Sequence, residues 1–314
     1  MSSFRPHSQA ASLAAPHFAP VPAVRRRPAH AAGDLALVHA AVSEAGPVRA
    51  HNEDRWQSVA QAGLFVVADG MGGYNAGEIA AEIAVQTACQ LIPQSLPQSL
   101  PQLVIEGALR RAHDACNAQI REYAADNPDC LGMGTTLVSC LIRDGRLHVA
   151  HVGDSRAYLL RDGLLVRLTR DHSVGQELLD SGKLAPAQLR NLPGRGILTR
   201  ALGVEASVPS DCSACDWRTA DTLLICTDGV ADLVDDERIR QLLIASAAGG
   251  PCGQARALVA AALQAGGCDN ATALVVRNAA DAGPPSESKT HEEERARERA
   301  RHERNIAMRN QGMN

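Results

Sequence analysis

The sequence predicts two antiparallel β-sheets packed together with α-helices outside them, on the strength of three observations. From Leu35 onward, short runs rich in Val, Leu and Ile alternate with turn residues, which is the pattern of strands. Two longer stretches between those runs repeat small and apolar residues at helical spacing. Asp-Gly dipeptides join neighbouring runs and mark them as hairpins.

Taken in order, residues 64–68 are an apolar run ending at Asp69. Residues 76–92 place Ala76, Ile79, Ala80, Ile83, Ala84, Thr87 and Leu91 on a helical stripe, and Pro93 predicts the stop. A second helix is expected over 103–124, after a Pro-Gln-Ser-Leu-Pro linker. Strands follow at 135–142, 147–152, 157–160 and 164–168, with turns at 143–146 and 161–163. Residues 173–200 break this rhythm with a short helix at 176–181 and then Asn191-Leu-Pro-Gly-Arg-Gly196, an excursion expected to lie over the strands. A strand at 222–226, helices at 237–245 and 253–265, and a closing strand at 271–276 complete the body. No fixed-period repeat is visible, so a solenoid or propeller is not expected. Only 3% of residues are aromatic, so the core must be aliphatic.

The 314 residues divide into a body at 34–280 between two tails. Residues 1–33 hold five prolines, the run Arg25-Arg26-Arg27 and no acid, so they are expected to form a disordered arm. A transit peptide would share the Arg- and Ala-rich composition, but Pro6, Pro16, Pro20, Pro22 and Pro28 would interrupt its amphipathic helix. Residues 281–314 form a charged tail in which acids and bases balance, and Glu293 with Arg297 could support an exposed helix. Removing the +4 of the arm and the neutral tail from the formal −4 of the chain leaves −8 on the body. An acidic body argues against nucleic-acid binding and suits a store of carboxylates for metal. No stretch reaches the roughly 18 apolar residues of a membrane span. Nine cysteines in apolar surroundings, an odd count, suggest a reducing cytoplasm rather than a disulfide framework. Cys212 and Cys215 have redox or zinc spacing, yet no second pair completes a zinc tetrahedron.

Four aspartates stand at the ends of separate apolar runs: Asp69, Asp154, Asp228 and Asp269. Three of them adjoin glycine, as Asp69-Gly70, Gly153-Asp154 and Asp228-Gly229, so backbone and carboxylate could both approach a common ligand. Gathering carboxylates is costly unless a cation sits among them, and hard divalent ions prefer oxygen ligands. His148 and His151 are three apart, which in a strand puts them on opposite faces and argues against a shared metal.

In order, the body carries Arg49-Ala-His-Asn-Glu53-Asp54, Ala68-Asp69-Gly70-Met71-Gly72-Gly73, Gly134-Thr135-Thr136, Val152-Gly153-Asp154-Ser155-Arg156, Leu198-Thr-Arg-Ala-Leu-Gly203, Thr227-Asp228-Gly229 and Asp269-Asn270-Ala-Thr272. Seven blocks in this order resemble the metal-dependent type-2C (PPM) serine/threonine protein phosphatase family in its bacterial form, over residues 35–277. The resemblance implies an α+β sandwich, helices on both outer faces of the paired sheets. It also implies two Mn²⁺ or Mg²⁺ ions and room for a third. Asp69 matches the carboxylate that bridges two ions, with the carbonyl of Gly70 on the first. Asp228 and Asp269 match ligands of the second, and Asp154 with Asp228 match the third site. Glu53 and Asp54 match acids acting through metal-bound water, and Arg49 matches the guanidinium that grips substrate phosphate.

The implied reaction is direct hydrolysis of phosphoserine and phosphothreonine by a water shared between two ions, with no phosphoenzyme. The resemblance further implies phosphorylated proteins as partners, a cognate serine/threonine kinase to oppose, and a cytoplasmic monomer that contacts neither nucleic acid nor membrane. Animal members carry a histidine where this chain has Met71, which cannot donate the last proton. His51, His172 and a metal-bound water are the possible donors, water first. Thr135 and Thr136 are expected to support the sheet, and Arg200 to anchor the flap at 173–196 or touch phosphate. Two other readings stay open: a silent phosphoprotein- or kinase-binding module on the same scaffold, and a phosphatase of small metabolites.

Overall fold

In the computed structural model, residues 37–72, 76–96, 101–189 and 192–278 are described. The arm expected at 1–33, the tail at 281–314 with Glu293 and Arg297, most of the linker and residues 190–191 of the flap lie outside the described residues. The chain runs through β1 (Leu37–Glu44), β2 (Asp54–Val59), β3 (Leu64–Met71), α1 (Ala76–Gln94) and α2 (Gln102–Asp126). It continues through β4 (Gly134–Thr135), β5 (Leu137–Arg143), β6 (Arg146–Val152), β7 (Arg156–Arg161) and β8 (Leu164–Arg167). Two short flap helices, α3 (Val174–Asp180) and α4 (Pro186–Leu189), lead to β9 (Asp211–Asp216) and β10 (Thr222–Cys226). Helices α5 (Asp228–Ala231), α6 (Asp236–Ala245) and α7 (Gly250–Gln264) precede the closing β11 (Ala271–Asn278).

One sheet has the order β1-β11-β10-β7-β8 and the other β2-β3-β5-β6-β9, with β4 on β3, all antiparallel. Period-two alternation sorts each strand's side chains into two layers. On β3, Phe65 and Val67 face the other sheet, where they meet Leu223, Ile225, Leu274 and Val276. Leu64, Val66 and Ala68 face outward and pack beneath α1 and α2. On the other side Tyr158, Leu224 and Val275 lie under Ile239 and Leu243 of α6 and Leu258 and Val259 of α7. The expected α-β-β-α layering is therefore present. Ala80, Ala84 and Ala88 are fully buried, and their small side chains let α1 lie close on its sheet.

Both Asp-Gly turns are as expected. Asp144 and Gly145 have φ of 52° and 69°, Asp162 and Gly163 have 52° and 75°, and each pair closes a two-residue hairpin. Three details correct the sequence reading. Helix α1 runs through Pro93 to Gln94 instead of stopping before it, since in the last turn the proline forfeits only the bond its own N–H would have donated to the Cys89 carbonyl. The strand expected at 135–142 is split into β4 and β5, because Thr136 turns aside to donate its N–H to the Asp69 carbonyl. Residues 54–59 and 211–216 are strands that the sequence reading did not assign. Their burial is only partial, and their mixed polar composition hides the alternation.

All nine cysteines are free. Strand β9 turns Cys212 toward the helix layer and Cys215 toward the space between the sheets, so the C-x-x-C spacing brings no pair together. His148 and His151 point to opposite faces of β6 and both are buried. No helix among the described residues is long and apolar enough to cross a membrane.

Candidate active site

Antiparallel pairing of β2 and β3 sets Asp54 opposite Asp69, which brings the first two acids together. Asp69 lies within β3, two residues before its end, so its carboxylate is held by a strand and not by a loop. Thr136 accepts the Asp69 N–H at 3.0 Å, and Thr135 donates to the Asp69 carbonyl at 2.8 Å. Both threonines thus support the strand end. Asp228 opens α5, separated from the end of β10 by Thr227, and Asp154 and Asp269 stand just after β6 and just before β11.

The four strands end at one rim of the sandwich, and there Arg49, Glu53, Asp69, Asp154, Asp228 and Asp269 line a cleft of about 690 Å³. Asp54 is buried just beneath it, where Thr227 and Thr272 donate to its Oδ2 at 2.9 and 2.6 Å. Its Oδ1 and the Oδ1 of Asp228 are buried with no hydrogen-bond partner. The Asp69 and Asp228 carboxyls lie within hydrogen-bonding reach of each other.

Electrostatics record the cost of this crowding. Burial, then its hydrogen bonds and the charges of Asp228 and Asp269, set Asp54 at about 7. Burial and the Asp269 charge push Asp228 up to about 6. Asp69 is raised well above the usual carboxylate range by burial and by Asp54, Asp228 and Asp154. Asp154 is raised by burial and by Asp228. Metal-free, the cluster holds protons that isolated aspartates would release, while two buried oxygens lack partners. An all-oxygen donor set in that state fits hard divalent cations.

Backbone proximity is as demanding as charge. A Cβ on Gly229 would stand 1.9 Å from the Asn270 carbonyl, and one on Gly70 would stand 2.1 Å from the Gly77 carbonyl. Gly229→Ala is expected to destabilise the fold by about 1–3 kcal/mol through overpacking. A thermal unfolding midpoint within one degree of the parent would contradict that packing.

Asn270 is a site residue whose role the sequence did not reveal. Its Nδ2 donates to the carbonyls of Ala45 and His51, and its Oδ1 accepts the Glu53 N–H at 2.8 Å. One buried amide thereby ties the loop carrying Arg49 and Glu53 to the loop carrying Asp269; only its place beside an aspartate hinted at this. Arg49 pairs with Asp269 at 2.8 Å and is half-exposed at the cleft mouth.

Arg200 bonds Asp211 at 3.0 Å and meets His172 Nε2 at 3.2 Å, and it also lines the cleft. His172 accepts the Gly153 N–H through Nδ1, and its Nε2 faces Asp211 and Arg200, so neither ring nitrogen is free to serve the leaving group. His151, His172 and Asp211 come within 4.8 Å of one another, as a metal site would require. The two rings are stacked, however, and Arg200 already supplies the positive charge beside Asp211. His51 lines the cleft.

The protein phosphatase 2C family model matches residues 48–249. The chain belongs to the protein phosphatase 2C family. The serine/threonine phosphatase stp of Listeria monocytogenes is 36% identical over 204 residues, covering 64% of this chain and 81% of that protein. The crystal structure of the Mycobacterium tuberculosis serine/threonine phosphatase PstP/Ppp superposes with a TM-score of 0.69 at 36% identity, covering 77% of this chain and 98% of that one. The catalytic domain of PstP in complex with two manganese ions gives a TM-score of 0.67, also at 36% identity, over 77% of this chain and 97% of that one. As a member of the 2C family the chain is a phosphoprotein phosphatase of bacterial form. Asp269 lies beyond the span of the 2C model, and the fold returns it to the cleft through β11.

Proposed function

We propose that this 2C phosphatase is Mn²⁺- or Mg²⁺-dependent and removes phosphate from phosphoserine and phosphothreonine in proteins. The observation that carries the reading is the convergence of Asp54, Asp69, Asp154, Asp228 and Asp269, with the Oδ1 atoms of Asp54 and Asp228 buried and unpartnered. Asp69 with the Gly70 carbonyl would hold one ion, Asp228 and Asp269 a second, and Asp154 with Asp228 a third. Glu53 and Asp54 would act around them through hydrogen-bonded water. Ions so bound lower the pKa of water at the site and offset phosphate charge, which permits direct hydrolysis without a phosphoenzyme.

The protein's own part is to position. Arg49 at the mouth offers a planar fork of donors to a phosphate, and its present partner Asp269 keeps the side chain aimed over the acids. Arg49→Ala is expected to raise KM for a phosphothreonine peptide about tenfold, the equivalent of about 1.4 kcal/mol, with a smaller effect on kcat. Unchanged KM and kcat would contradict the clamp.

A silent scaffold has no use for a complete set of acids at such electrostatic cost, and this chain keeps all of them. The physiological role inferred is to oppose a serine/threonine kinase in the cytoplasm, as a monomer acting on phosphorylated proteins and not on nucleic acid or membranes. The deciding assay titrates Mn²⁺ into the protein with a phosphothreonine peptide, sugar phosphates and nucleotides as alternative substrates. Metal-dependent release of phosphate from the peptide is expected. Turnover confined to the metabolites would transfer the chain to another substrate class.

A further inference from the structure

We propose that Met71, Val204, Val208 and Pro209 form an apolar subsite that takes an aliphatic side chain one or two positions from the phosphorylated residue. Ile197, directly after the flap, completes the lining. This rests on the phosphatase reading above and names which phosphoproteins that site prefers.

All five residues line the same cleft as the acids. Val208 is buried, but Ile197 and Val204 keep 62% and 50% of their surface exposed. Two branched apolar side chains are thus left open at the mouth of a cleft whose floor is anionic. A Cβ placed on Gly134 would meet Met71 Cε at 2.7 Å and Val204 Cγ2 at 3.1 Å, so these two side chains come together above that glycine. Met71 follows Gly70 directly, which makes the apolar wall continuous with the acid cluster.

The wall is also held in place. Gly203, at φ 95°, donates its N–H to Asn117 Oδ1 at 2.7 Å. Asn117 Nδ2 donates to the carbonyls of Glu205 at 3.0 Å and Ala206 at 3.3 Å, and Arg121 donates to the Val204 carbonyl at 3.1 Å. Asn117 is buried on α2. The loop that presents Val204 is therefore bolted to a helix, so a ligand meets a preformed surface and the ordering cost of binding falls.

The occupant follows from reach and charge. Neighbours of a phosphorylated residue in an extended peptide lie about 3.5–7 Å from it, which keeps them inside this cleft. Arg49 and Arg200, the arginines of the lining, are each paired with an aspartate, while Glu205 stands on the same loop as Val204. Acidic neighbours are thus opposed and aliphatic ones favoured. Methionine is unbranched and adaptable, so the wall can accept Leu, Ile or Val alike.

The test measures kcat/KM with Mn²⁺ for matched phosphothreonine peptides carrying Leu, Gly or Asp at each of the positions −2 to +2. At one or two of these positions Leu is expected to exceed Gly and Asp by at least about tenfold, the lower end of what a single methylene achieves in an apolar pocket. Val204→Asp is expected to bring that ratio to about one or invert it. Leu164→Asp, a substitution at a still more exposed position on the edge strand β8, is expected to leave the ratio unchanged. Because the ratio is taken within each protein, partial loss of stability does not imitate the effect. Hydrolysis of all peptides without preference, or a Val204→Asp protein that keeps the Leu preference, would overturn the subsite alone. No hydrolysis of any peptide or of p-nitrophenyl phosphate would overturn the phosphatase reading and the subsite with it.

Discussion

Asp69→Asn is expected to lower Mn²⁺-dependent kcat/KM by at least about 10³-fold, a loss of about 4 kcal/mol of transition-state stabilisation. The same substitution should raise the unfolding temperature of the metal-free protein. Both expectations come from one geometry. Asp69 is the acid that feels Asp54, Asp228 and Asp154 together, so it is the natural bridge between cations and the worst-placed charge without them. Asparagine keeps the size and removes the anion. Repulsion within the empty cluster falls, and the affinity for divalent ions falls with it. Asp228→Asn should behave in the same direction, since its carboxyl reaches Asp69 and one of its oxygens has no other partner. A mutant retaining half its activity, or one less stable than the parent in EDTA, would sink the role given to Asp69.

Removal of metal by EDTA should abolish turnover, and the stabilisation regained with Mn²⁺ should grow as pH rises from about 5.5 to 7.5. The sign follows from linkage. In the unfolded chain these aspartates release their protons near pH 4, whereas in the fold Asp54 holds its proton to about 7 and Asp228 to about 6. The protonated cluster therefore contributes stability to the metal-free fold below about pH 4, and that contribution is lost as pH climbs through 6 to 7. Cations replace the protons, so their advantage is largest where the protons have gone. His113 and His172 act oppositely, because burial lowers them to about 3 and about 4 and the unfolded chain gains their protons first. Both are present with and without metal, and the difference between the two samples removes them. Per kcal/mol, a body of this size shifts by about 2–4 °C, so the Mn²⁺-induced increase in Tm should widen by several degrees over the range. An increase independent of pH would show that the acids are not proton-bound in the metal-free fold.

Much of the fold was legible because local chemistry sufficed. The Asp-Gly hairpins, the small-residue face of α1 and the apolar strands β3, β5, β6, β10 and β11 are set by residues close in sequence. Strands β2 and β9 were not legible. They lie at the edges of their sheet, where partial exposure permits polar residues such as Arg55, Gln57 and Ser213 and erases the alternation. Helix α4 is a single short turn inside the flap, too brief to leave a periodic signal.

The site divides along the same line. By itself the sequence determined which acids are present, that each stands near the end of a strand or of an apolar run, and that glycines stand beside three of them. Those properties belong to short stretches of chain, where side-chain type and backbone freedom act locally. Tertiary structure decided the rest: that Asp54 lies under the cleft while Asp69, Asp154, Asp228 and Asp269 line it, that Asn270 joins two loops 217 residues apart along the chain, and that His172 turns to Gly153 instead of the substrate. Burial, mutual repulsion and the pairing of distant strands are properties of the folded whole, and they arise only when the two sheets close against each other.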